Sequence, residues 1–135
     1  MSNHREYNVN QVIDQPQRLQ VLNVTQSYIV QAPAGSGKTE LLTQRYLALL
    51  SIVDSPEEII AITFTKKAAN EMRNRILLAL EMAAYHDKPA EPHKLATWEL
   101  ANRALQHARN KHWDLVVNPN RGWFNKLKLK LWIKN

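Results

Sequence analysis

Ala32-Pro-Ala-Gly-Ser-Gly-Lys-Thr39 is the stretch of this chain best equipped for chemistry. Gly35 and Gly37 let backbone N–H groups curl around phosphate oxygens. A helix opening directly after the loop adds unpaired N–H donors and a partial positive charge. Lys38 has the length and charge to reach β- and γ-phosphates, and the Thr39 hydroxyl can ligate a Mg²⁺ ion that bridges them. The common form of such a loop opens with glycine, and here that position is Ala32. The chain has only three glycines in 135 residues, about 2% against a usual ~7%, and two of them fall in this loop.

Two further places carry suitable side chains. Gln17 lies 21 residues before Lys38. A carboxamide donates and accepts, so it can meet the N6 amino group and N7 of adenine together. On composition alone it reads first as one of several solvated helix glutamines, beside Gln11, Gln15 and Gln20. The second place is Ile62-Thr-Phe-Thr-Lys-Lys-Ala-Ala-Asn-Glu-Met72, where an apolar strand runs into a helix. Thr63 and Thr65 offer hydroxyls to a phosphodiester, Lys67 offers a cation, and Phe64 offers a face for base stacking. The plainer reading makes Thr65 an N-cap, Phe64 a core residue, and Lys66 and Lys67 solvated.

The elements that must hold these residues follow from periodicity. Residues 14–22 read as a short helix with Pro16 near its start. Ser27 to Ala32 is β-branched and aromatic, a strand leading into the loop. Residues 38–50 place Leu42, Tyr46, Leu49 and Leu50 at helical spacing. Ser55 to Glu58 is a turn, and Ile59 to Phe64 is a continuous apolar run, as expected of a parallel strand buried on both faces. Residues 66–84 form a long helix, His86 to Pro92 breaks it, and Lys94 to about His112 is helical again, with Leu95, Trp98, Leu105 and Ala108 as its core face. Lys126 to Lys134 alternates charge and apolar residues like an edge strand. Strands alternating with helices indicate an α/β fold with a parallel sheet.

Composition narrows the classes. The length suits one core, and a hydrophobic fraction of 44% argues against disorder. Without cysteine there is no disulfide scaffold, thiol nucleophile or thiolate metal site, which fits a reducing, cytoplasmic setting. No apolar run approaches the ~20 residues of a membrane span, and the polar first residues do not form a secretory signal. The net charge is +6. Residues 118–135 contribute +5 of it, with five basic residues and no acidic one. Residues 1–117 therefore carry +1, and the basic balance says little about nucleic acid.

Three segments in order resemble the UvrD-type, superfamily-one DNA helicases: Gln17-Arg18, the loop over residues 34–39, and Thr63-Phe-Thr-Lys-Lys-Ala-Ala69 followed by Glu71-Met72. Residues 100–121 narrow the likeness to RecB/AddA-like helicase–nuclease subunits. The resemblance implies a P-loop NTPase (RecA-like) parallel sheet flanked by helices, an incomplete first motor domain, with ATP and Mg²⁺ as cofactors and single-stranded DNA as partner. It implies that Gln17 contacts adenine, that residues Ala32, Pro33, Ala34, Gly35, Ser36, Gly37, Lys38, Thr39 and Glu40 surround the nucleotide, and that Lys38 and Thr39 serve catalysis, Thr39 as the metal ligand. It makes Thr63, Phe64, Thr65 and Lys67 the first single-strand contact. Many relatives carry arginine just after the Lys-Thr pair, beside the base, whereas this chain has Glu40.

The expected layout is a polar lead-in over 1–13, the start of an ATP-binding motor domain over 14–85, a helical insert over 86–117, and a divergent basic tail over 118–135. Relatives continue after Arg121 with a further DNA-contacting strand, whereas the lysine- and leucine-rich tail reads like out-of-register translation. The expectation is therefore a truncated piece of a repair or recombination helicase, inactive by itself, with a second polypeptide as one source of the missing motor domain. The competing readings are a small P-loop kinase, for which no arginine lid is visible, and a non-catalytic nucleotide- or DNA-binding module.

Overall fold

A computed structural model describes residues 15–31, 37–113 and 131–133. The order is α1 (Gln15–Val21), α2 (Lys38–Leu50), a 3₁₀ turn (Pro56–Glu58), β1 (Ala61–Thr63), α3 (Lys66–Tyr85), α4 (Pro92–Asn110) and β2 (Leu131–Ile133). α2, α3 and α4 pack together and supply most of the core. Leu47, Leu50, Ile76 and Leu80 are fully enclosed there, and each such side chain contributes about 1.5–3 kcal/mol by leaving water. α4 brings Ala101, Ala104 and Ala108 to the contact, and these small residues let it lie close against its neighbours.

The helices begin where capping chemistry allows. Ser55 caps the 3₁₀ turn, with Glu58 reaching back to the Ser55 N–H at 2.8 Å, a reciprocal capping box. Thr65 caps α3 by accepting from the Ala68 N–H at 3.1 Å. α4 starts at Pro92, two residues before the periodicity alone places it, because proline fits the first turn of a helix, where its missing N–H is not needed.

The sheet departs from expectation. β1 and β2 pair in parallel, with Ala61 opposite Leu131 and Thr63 opposite Ile133, so the alternating tail does contribute a strand. The strand expected over Ser27 to Ala32 is not formed across residues 27–31, and Ile29 is 91% exposed. A strand exists only through a hydrogen-bonded neighbour. β1 has β2 as its neighbour, and no third strand joins them among the described residues. The double burial expected of Ile59 to Phe64 is also corrected. Ile59 is buried, but Ile60, Ile62 and Phe64, on the opposite face, are exposed. α3 lies near β1, and no second layer covers the other face among the described residues. In α2 the buried stripe runs through Leu41, Tyr46, Leu47 and Leu50, leaving Leu42 outside.

Candidate nucleotide site and nucleic-acid contact

α2 begins at the residue that ends the glycine loop. Gly37 is its N-cap, with φ +85° and ψ 21°, in the left-handed region that glycine enters freely. Its carbonyl accepts the first helical bond from the Leu41 N–H at 3.1 Å. No side chain caps the first turn of α2 among the described residues. The turn's outward N–H donors are thus left to another acceptor, and such a terminus attracts anions. Lys38 and Thr39 stand exposed on this turn. The Thr39 carbonyl accepts from Thr43 Oγ1 at 2.9 Å, which satisfies the buried Thr43 hydroxyl. The expected nucleotide residues Ala32, Pro33, Ala34, Gly35 and Ser36 lie outside the described residues.

α1 approaches this loop from the side. Arg18 Nη1 lies 3.5 Å from the Gly37 carbonyl oxygen. A Cβ on Gly37 would sit 3.2 and 3.3 Å from the two terminal guanidinium nitrogens, so the cation rests directly against the loop's last residue. Gln17, the preceding residue, is exposed on α1. The structure thus brings the expected base-contacting helix to the end of the phosphate loop.

Glu40 turns away from that site. One carboxylate oxygen accepts from Thr97 Oγ1 at 2.6 Å, and the other lies 3.5 Å from Arg75. Gln44 donates to the same Thr97 hydroxyl at 3.0 Å. The side chain at position 40 therefore braces α2 against α3 and α4.

At the exit of β1, Thr63 Oγ1 donates to the Thr65 carbonyl at 3.1 Å, and Thr65 is committed to its cap. Thr65 is an N-cap, as the plainer reading has it, and its O–H remains able to donate. That reading fails for Phe64, which is 87% exposed and is not a core residue. Lys67 is exposed and lines a shallow depression on α3 with Asn70, Glu71, Asn74, Arg75 and Leu78. Arg75 divides its guanidinium between Glu71, at 3.2 Å, and Glu40. The depression beside Lys67 is thereby linked to the first turn of α2.

Arg45 escaped the sequence reading. From α2 it donates to the carbonyls of Val21, of Asn23 at 3.3 Å and of Gln26 at 2.9 Å, and its guanidinium lies 5.7 Å from the Tyr28 ring centre. The available signal was a lack. The segment after α1 offers no glycine to close the helix; local N–H groups reach the Arg18 and Gln20 carbonyls, and the Val21 carbonyl takes its donor from Arg45.

Residues 13–129 match the UvrD/REP helicase N-terminal domain family. The chain belongs to that family. It is 43% identical over 75 residues to DNA helicase II of Haemophilus influenzae, a match covering 55% of this chain and 10% of that protein. It is 35% identical over 103 residues to ATP-dependent helicase/nuclease subunits of Bacillus cereus and of Bacillus anthracis, covering 67% of this chain and 8% of each relative. The chain thus spans about a tenth of the length of these helicases. No solved structure matches it.

Membership of the helicase family implies a P-loop nucleotide site with ATP and Mg²⁺. The described residues fit a triphosphate: a left-handed Gly37, an uncapped helix start, and an exposed lysine and threonine in sequence. The exposed Thr39 hydroxyl is an oxygen of the kind Mg²⁺ would take, an ion that commonly completes its shell with phosphate oxygens and water. No helix among the described residues is long and apolar enough to cross a membrane.

Proposed function

We propose that this chain forms the nucleotide-binding start of a DNA-helicase motor, holding ATP–Mg²⁺ and making the first contact with single-stranded DNA. The observation that carries the reading is the junction at Gly37, where a left-handed glycine opens an uncapped helix with Lys38 and Thr39 on its first turn. In this reading Lys38 binds the β- and γ-phosphates, Thr39 holds Mg²⁺, and the N–H groups at the start of α2 donate to phosphate oxygens. Gln17 reads the adenine edge from α1. Bound Mg²⁺ would neutralise charge on the phosphates.

On the DNA side, exposed Phe64 stacks a base and Lys67 pairs with a phosphate, while Thr63 and Thr65 shape the turn that presents them. Hydrolysis also needs an acidic metal ligand, a residue that orients water and a cationic finger. The sequence offers no acidic pair at the end of a second apolar strand, because Glu57 and Glu58 precede β1. The chain by itself therefore binds nucleotide without turnover, and coupling of hydrolysis to movement along DNA belongs to a whole helicase.

Binding of a fluorescent ATP analogue to the wild type and to Lys38→Ala tests the nucleotide site. The expected loss is at least about tenfold, as for removal of a charged partner to phosphate. Equal binding by the two proteins overturns the assignment.

A further inference from the structure

α1 has seven residues, far fewer than the ~12–15 that an isolated helix needs to persist in water. Its position must therefore come from tertiary contacts, and α2 is the element it packs against. Two arginines make the polar part of that contact. Arg18 lies on the Gly37 carbonyl at the loop end. Arg45 holds the other end through the carbonyls of Val21, Asn23 and Gln26. Val21 ends α1 and its carbonyl is one that a helix terminus leaves over, while Asn23 and Gln26 belong to the turn that follows; a planar guanidinium with five donors can serve all three at once. A cation at a helix C-terminus also matches the macrodipole. Tyr28 stacks near the guanidinium and its hydroxyl donates to Gln26 Oε1 at 2.7 Å, which stiffens the segment that Arg45 grips.

We infer that Arg45 is a positioning residue for base selection: it acts through α1, fixing where Gln17 presents its carboxamide relative to the phosphate loop. The inference rests on the nucleotide reading proposed above and adds a residue that touches neither base nor phosphate in that reading. Phosphate affinity is set at the start of α2. Base preference is set on α1, whose register against α2 depends on Arg45. Loosening Arg45 frees α1 to shift, and a bidentate match to adenine tolerates little displacement.

The test measures binding of ATP, GTP and inorganic tripolyphosphate, each with Mg²⁺, to the full chain. The wild type is expected to prefer ATP over GTP by roughly 5- to 150-fold, the range for one bidentate base contact. Arg45→Met is expected to bring that preference within about threefold while leaving tripolyphosphate affinity unchanged, and Gln17→Ala should do the same with no further loss in the double variant. Arg45→Lys, which keeps the charge but not the fork, should fall between the wild type and Arg45→Met, and it decides the matter if Arg45→Met does not fold by circular dichroism. Retention of the full ATP preference in Arg45→Met, or in Arg45→Lys when that variant decides, overturns the inference. So does a parallel loss of ATP, GTP and tripolyphosphate binding, which is the signature of a general structural role. A wild type that binds tripolyphosphate and both nucleotides equally well defeats this inference but spares the phosphate site. A wild type that binds none of the three defeats both.

Discussion

Replacing Gly37 by alanine perturbs one backbone angle and one contact, and both can be sized. At φ +85° an L-residue sits in the left-handed region, at a cost of roughly 1–2 kcal/mol. The added Cβ would meet Arg18 guanidinium nitrogens at 3.2 and 3.3 Å. The obstacle is the far end of a flexible side chain, so Arg18 yields and loses its 3.5 Å approach to the Gly37 carbonyl. At that length and partial exposure the loss adds about 0.5 kcal/mol, the low end for a hydrogen bond. Gly37→Ala should therefore cost about 1.5–2.5 kcal/mol of folding stability, read as a urea midpoint lowered by about 1 M. Three companion proteins separate the terms. Gly37→Asn should lose less, because asparagine tolerates the left-handed region. A semisynthetic chain with D-alanine at 37 should retain the stability of glycine, because positive φ is natural to it. Gly37→Ala made in an Arg18→Ala background should cost only the backbone part. Nucleotide binding should weaken with stability in the alanine variant, because the same angle aims the first N–H groups of α2. If alanine and asparagine cost the same, or if alanine costs less than about 0.3 kcal/mol, the backbone reasoning is wrong.

Three other outcomes are expected. Tyr46 is buried and its hydroxyl has no hydrogen-bond partner among the described residues, so Tyr46→Phe should raise stability by about 1 kcal/mol in urea unfolding. Burial, and secondarily the charge of Glu57, raises the Tyr46 hydroxyl above its ordinary 10.0. The unfolded chain ionises first, so wild-type stability should fall as pH rises past 10 and the phenylalanine variant should lose that component. Asp54 accepts from Lys111 at 2.7 Å, and this bond, then the ammonium charge, holds its carboxyl below the ordinary 3.8. The stabilisation is complete above that value and lost as pH falls through the lower folded value, so Lys111→Met should flatten the acid limb of stability against pH. On the DNA side, Phe64→Ala should weaken binding of an oligothymidylate by about 1–3 kcal/mol, and Lys67→Ala should weaken it while lowering the salt dependence; binding unchanged in both, with a deletion of residues 118–135 abolishing it, would assign DNA binding to the tail.

The helices were legible because each is governed by local rules. α2 follows a glycine loop and α3 follows a threonine cap, both visible in the chain itself, while α4 opens on Pro92, which periodicity assigned to the break before it. The sheet was less legible because strands are defined by partners. Ser27 to Gln31 has the composition of a strand, yet composition cannot supply the neighbour that makes a ladder. The same limit explains Ile60 and Ile62. Their apolar character suggested burial on both faces, but which faces are covered depends on layers that lie elsewhere in sequence, and these two are exposed. At the candidate site, Lys38, Thr39 and Phe64 were singled out by type and position, and the structure leaves all three exposed. Arg18, Arg45, Arg75 and Thr97 were not, because each acts across a separation of about 20 to 60 residues, where no periodicity operates.

Position 40 shows what the structure adds to a family resemblance. The helicase pattern favours arginine after the Lys-Thr pair, and glutamate there reverses the charge beside a proposed triphosphate. An exposed carboxylate on the first turn of a helix is favoured by the macrodipole but would repel phosphate. The fold resolves this conflict by drawing Glu40 toward Thr97 and Arg75, so that its charge is neutralised on the side facing α3 and α4. The cation against the loop is then Arg18, which arrives from α1. A carboxylate thus braces the helices, and a guanidinium from α1 lies at the loop end. In the proposed reading the placement of α1 matters twice, because α1 carries both Gln17 and the cation beside Gly37.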